Sequence, residues 1–229
     1  MNASNDTEND LKLRLILVAE KLFADHGVEA VSLRQINTAA GSKNTSAIHY
    51  HFGSKDAVIQ AIFDLRKAKI DEHRLHLLKQ VDISSGTDYE TVRLIVSGIV
   101  SPLADVVLPE GAEGRNYVRL LARIFCDPSF HFREDLVLGN LYLTGMRFAR
   151  DHILDILTDI PEEILKERMR WISTHFVFAL SNYAWEALRR QERPIHESQL
   201  FFETLIDYET AALVAPPSPR AKSLATGGI

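Results

Sequence analysis

The 229-residue chain has little cysteine, no long apolar run and no excess of positive charge. Its single cysteine, Cys126, excludes a disulfide framework and a four-thiolate metal site, and fits a reducing cytoplasm. No charged stretch followed by an apolar one opens the chain, and no run of about 18 or more apolar residues occurs, so neither export nor a membrane span is expected. A nucleophile elbow, a phosphate-cradling glycine loop, a metal-binding dyad and a dinucleotide fingerprint are all missing. Nine histidines include His49-x-His51 and His73-x-x-His76, but no cysteine or cluster of acids joins them at ligand spacing. No metal and no cofactor is expected.

What the chain does have is a compact signal between Ser32 and Lys55. The Ser32 hydroxyl can accept from the free N–H groups of a first helical turn, and Gln35, three residues on, completes a capping box. Leu33, Ile36 and Ala40 share one helical face, and Gly41 can take the positive φ that ends the helix. Asn44 then caps a second short helix in which Ala47 and Ile48 face inward. Thr45, Ser46, His49 and Tyr50 are left as small or flat side chains suited to base edges and phosphates. Phe52 closes that helix, Gly53 turns the chain, and Ser54 caps a third, placing Lys55 at a helix N-terminus that favours phosphate. The pattern predicts a helix-turn-helix whose second helix would read DNA.

These residues resemble the TetR family of one-component bacterial regulators. Leu22-Phe23, Gly27, Ser32, Ile36, Ala40-Gly41, Asn44, His49-Tyr50-His51-Phe52 and Ser54-Lys55 stand at the positions of the family pattern, over about residues 11–65. Asn37 replaces the family's usual small alanine, and the segment after Gly41 is one residue longer than the commonest form. The resemblance implies a regulator, not an enzyme, that acts as a homodimer paired through its last two helices. Such a dimer would read a palindromic operator on double-stranded DNA, with heads spaced roughly 34–36 Å or a multiple, and would release it on binding a small effector. DNA-contact candidates are Ser32, Arg34, Lys43, Asn44, Thr45, Ser46, His49, Tyr50 and Lys55.

Charge is consistent with this once the chain is divided. Residues 1–70 carry nine Lys/Arg against eight Asp/Glu, a balance of +1, whereas 71–229 carry seventeen against twenty-three, a balance of −6. From Gly41 to Lys55 there are two lysines, two histidines and no acid, so the contact surface is locally positive although the whole chain is at −5.

Helical spacing runs through nearly all the rest, without strand alternation or repeats, so the fold class is all-α: an N-terminal three-helix DNA-binding domain and a larger C-terminal helical domain. The expected domains are a flexible N-terminus (1–9), the helix-turn-helix domain (10–55), an effector-binding and dimerisation domain (56–214) entered by a connecting helix (55–79), and a disordered tail (215–229). Helices are expected near 87–107, kinked at Pro102, and near 115–126, 133–157, 162–191 and 197–214, with a loop at 109–114.

In the body, Phe125, Tyr142, Phe178 and Trp185 are candidates to line an apolar effector cavity. Arg123, His131, Arg147 and His175 would supply its polar groups, although aromatic residues also fill ordinary helical cores. An elongated apolar molecule with a carboxylate or thioester-like end is the expected effector. The apolar run Phe176 to Leu180 exceeds one helix face, which suggests two packing partners. Phe176, Leu180, Phe202, Ile206 and Leu213 are the candidates for a dimer interface. A helical enzyme, or an adaptor that binds protein without reading DNA, remains as the rival reading.

Overall fold

A computed structural model of the chain describes residues 3–42, 44, 46–82, 88–108, 112–126, 144–189 and 194–227, which contain helices and no strand. Helix α1 (Ala3–His26) presents Leu15, Ala19 and Phe23, all fully buried, and ends where Gly27 takes φ 86°. Helix α2 (Leu33–Ala39) starts on the capping box. The Gln35 N–H donates to the Ser32 hydroxyl at 3.2 Å, and the Ser32 N–H to Gln35 Oε1 at 2.7 Å. Gly41, at φ 67°, turns the chain toward α3 (Ala47–His51). Ser54 caps α4 (Lys55–Leu78) by accepting from the Ala57 N–H at 3.2 Å. Ile36, Ile48, Ile59 and Ile62 are fully buried and close the head's core around Phe23. Each such side chain is worth about 1.5–3 kcal/mol over leaving it exposed.

The body comprises α5 (Asp88–Ala104), α6 (Ala112–Cys126), α7 (Thr144–Ile156), α8 (Glu162–Arg189), α9 (Ile195–Val214) and α10 (Pro219–Ala225). Helix α4 packs on α5 and α7, while α6 lies between α1 and α8 and so joins head to body. Pro102 sits in the last turn of α5, where it removes the bond an N–H would make to the carbonyl four residues back, and the helix stops two residues later. Helix α6 begins earlier than expected, at Ala112, and takes Glu113 and Gly114 out of the anticipated loop. Gly114 is required there, since a Cβ would stand 2.0 Å from the Val106 carbonyl oxygen.

Two further expectations are corrected. Helix α1 starts at Ala3, inside the segment expected to be flexible. The tail is not wholly irregular either: the Ser218 hydroxyl accepts from the Ala221 N–H at 3.2 Å and Pro219 occupies the first turn, so α10 forms against α8 without any buried side chain of its own. The expected helical stretch 133–143 lies outside the described residues.

Candidate functional site

Within the reading head one buried amide ties α2 to the turn and to α3. Asn37 on α2 is 3% exposed; its Nδ2 donates to the Asn44 carbonyl at 2.8 Å and its Oδ1 accepts from the Ile48 N–H at 3.3 Å. The residue that departs from the family's alanine therefore spans the longer turn, satisfying one backbone group on each side of it. The Asn44 side chain accepts from the Ser46 N–H at 3.0 Å and orders the entry to α3. With Ala47 and Ile48 buried, α3 turns Ser46, His49 and Tyr50 outward, and Tyr50 is 78% exposed. Asn44, Ser32 and Arg34 are exposed as well. Lys43 and Thr45 lie outside the described residues.

Lys55 departs from expectation. Its ammonium donates to the carbonyls of Val28 and Glu29 at 3.0 and 3.1 Å, fastening the turn after α1 to the start of α4. A cation engaged by two carbonyls is a structural tie before it is a phosphate ligand. Arg123, expected in the effector cavity, is also a tie: its Nε donates to the Ala24 carbonyl at 2.8 Å and its Nη2 to that of Asp25 at 3.1 Å. Arg119 beside it meets the Asp25 carboxylate at 2.6 Å and lies 3.9 Å from the centroid of the Trp185 ring. Two cations on α6 thus bind the negative C-terminal end of α1.

The body contains two neighbouring apolar cavities among α4 to α9, each of about 50 Å³, with Met146 and Ser173 lining both. Of the expected residues that are described, only Phe125 lines either cavity. Phe178 and Trp185 line a surface groove with Arg123, because they stand on the side of α8 that faces α6 and the end of α1. Arg147 is exposed, on the solvent side of α7. His175 lies outside the cavities, hydrogen-bonded to Glu209, which is 1% exposed. Burial pushes the Glu209 carboxyl above its ordinary range, and His175 pulls it partly back. His131 and Tyr142 lie outside the described residues.

The polar residues the sequence reading missed are Arg74, Asp71 and Tyr117. Arg74 is 3% exposed and lines the cavity that Phe125 lines. Its Nη1 is 3.5 Å from Asp71 Oδ1, its Nη2 is 3.4 Å from the Ile99 carbonyl, and its Nε has no partner. Burial lowers its pKa and Asp71 opposes that. Asp71 Oδ1 also accepts from the Gly145 N–H at 3.0 Å, at the start of α7. A signal was present: Ile70, Arg74 and Leu78 fall four residues apart on one buried face of α4, where a charge is out of place.

The dimer candidates need correction too. Phe176, Leu180, Ile206 and Leu213 are at most 4% exposed within one chain, so they have no surface left for a partner. Phe202 is half-buried in a cluster with Phe201 and Tyr183. The outward stripes are Trp171, His175 and Ala179 on α8, and Leu200, Thr204 and Tyr208 on α9, each set spaced by four. Trp171, Leu200 and Tyr208 are 66%, 68% and 60% exposed. Among the described residues no group of three or more His, Cys, Asp or Glu could hold a metal, and no helix is long and apolar enough to cross a membrane.

The model of a family described as bacterial regulatory proteins, tetR family, matches residues 15–62, and that of the tetracyclin repressor-like C-terminal domain matches residues 98–212. Among solved structures the chain is similar to a transcriptional regulator from Rhodococcus sp. Rha1, at 15% identity and a TM-score of 0.48, over 90% of this chain and 99% of that one. It is also similar to a TetR-family regulator from Streptomyces coelicolor A3, at 17% identity and a TM-score of 0.37, over 89% of this chain and 95% of that one. A comparison with curated proteins returns no match.

Proposed function

The chain belongs to the TetR family of transcriptional regulators, DNA-binding proteins rather than enzymes, and on that premise we propose that it is a homodimeric repressor of a palindromic operator. The observation that carries this reading is the outward face of α3: Ser46, His49 and Tyr50 stand exposed on a helix whose other side, Ala47 and Ile48, is locked into the head. Thr45, Ser46 and His49 are assigned to base edges and nearby backbone, Tyr50 to phosphate, and Arg34 and Lys43 to further phosphate contacts. Lys55 contributes by holding the head's shape, its ammonium resting on two carbonyls and 4.0 Å from the Glu29 carboxylate.

The stripes Trp171/His175/Ala179 and Leu200/Thr204/Tyr208 support pairing of α8 and α9 with their copies in a second chain, since three large apolar side chains more than half exposed on one face call for a partner. A ligand in the body would favour one spacing of the two heads, and α4 would carry the change, because it spans from the reading head to the cavity wall. Selection of binding sites from a random duplex library, with light scattering on the same sample, tests the whole reading. An enriched palindrome bound by a dimer supports it. No enrichment at low salt by folded protein would sink it.

A further inference from the structure

We propose that the effector of this protein carries a carboxylate, and that Arg74 receives it. The inference rests on reading the C-terminal domain as ligand-binding and specifies what that domain takes.

The argument starts from a contrast within α4. Arg66 presents its Nε and Nη2 edge to both oxygens of Glu20, each at 2.9 Å, a complete side-on pair. Arg74, two turns on, is buried more deeply, yet the same edge has an Nε without a partner and an Nη2 stretched to 3.4 Å from a carbonyl. Asp71 does not complete the pair: one oxygen stands 3.5 Å from the opposite nitrogen, and that oxygen already serves the Gly145 N–H. A buried guanidinium held this loosely is unfavourable unless something further pairs with it.

The cavity beside it has the matching chemistry. Its lining includes Arg74, Tyr117 and Ser173, the stem of Lys67, whose ammonium pairs with Asp64 at 2.6 Å, and no carboxylate; the remainder is apolar. Met146 and Ser173 separate it from the second apolar cavity, so a flexible methionine is the partition that an alkyl chain would displace. The ligand chemistry that fits is an anionic head on Arg74 and an unbranched apolar tail passing Met146. Seating the head sets the new carboxylate against Asp71. That competition reaches the start of α7 through the Asp71 to Gly145 hydrogen bond, and reaches the head through α4. Gly145 is fixed by the same packing, since a Cβ there would lie 2.9 Å from both Arg74 and Asp71.

The test is binding of straight-chain carboxylates, hexanoate to dodecanoate, and of the matching alcohols to the full-length protein, read by calorimetry and thermal shift without DNA. Carboxylates should bind at least about tenfold more tightly than alcohols of equal length. Arg74→Met, which keeps the shape and removes the charge, should abolish that difference. Asp71→Asn, which can still accept from Gly145 while removing the competing charge, should strengthen carboxylate binding several-fold. Equal binding of acids and alcohols by the wild type, no binding of any acid, or weaker acid binding by Asp71→Asn would each overturn the proposal. Operator selection on the same preparation is scored separately, so failure here leaves the DNA reading standing, and failure there leaves this result intact.

Discussion

Helix α4 belongs to two regions that treat buried polar groups in opposite ways. Toward the head, Arg66 and Glu20 form a bidentate pair, and Asn37 nearby has both ends of its amide bonded. Toward the body, Arg74 is left with two stretched bonds and a bare Nε beside a cavity. Buried polar groups closed as completely as these two have one favoured arrangement. A region that leaves a guanidinium under-paired has a reason to change when a suitable anion arrives. The head is built to keep its shape, and the body to take up a ligand.

The sharpest way to break this contrast is to remove one side chain from each region. Glu20→Ala should cost about 3 kcal/mol in denaturant unfolding, because it leaves Arg66 desolvated without its partner, while Arg74→Met should change stability by less than about 1 kcal/mol or raise it. Equal losses would erase the distinction. Next in size, Asn37→Ala should cost about 2 kcal/mol by stranding the Ile48 N–H and untying α2 from the Asn44 carbonyl, which keeps Ser42 and Ala47 as donors, and operator affinity should fall with it. Stability lost with full operator affinity would show that the turn does not depend on the amide.

Lys55→Met should cost about 1 kcal/mol, the worth of two hydrogen bonds from a partly exposed ammonium, with little change in the salt dependence of operator binding. A drop of about one in the log–log salt slope would return Lys55 to the phosphate contacts. The smallest effect concerns Glu209. An unfolded glutamate titrates near 4.5, and in the fold burial holds this one higher. The stability linked to its proton is therefore complete below pH 4.5 and is lost as pH rises through the raised value. Relative to Glu209→Gln, the wild type should lose stability across that interval in paired thermal melts; parallel curves would contradict the assignment.

The head was readable because its determinants are local. Ser32 and Gln35 stand three apart, Gly41 and Gly53 end what precedes them, and a single sequence window contains the whole capping chemistry. Helix α10 went unread for a related reason: the expectation relied on apolar periodicity, whereas Ser218 and Pro219 start that helix by capping alone. The cavity was hidden because its wall is assembled from residues as far apart as Lys67 and Val177. The pairing candidates Ile206 and Leu213 on α9 are buried within one chain because Phe201, Phe202, Leu205, Ile206 and Leu213 surround that helix with apolar groups, and periodicity does not say which side meets α8.

Arg119 and Arg123 grip the last carbonyls of α1, and carbonyls are the same whatever residue bears them. Substitution at Asp25 takes its carboxylate from Arg119 but leaves both carbonyls in place, so the joint between head and body survives a change of residue there. It does not tolerate drift in length. One residue added to α1 turns everything beyond it by about 100° and advances it by about 1.5 Å, presenting different carbonyls to the same two arginines. Point mutations in α1 are therefore poor material for evolving a new operator spacing, whereas a single insertion or deletion would re-aim the reading helix in one step.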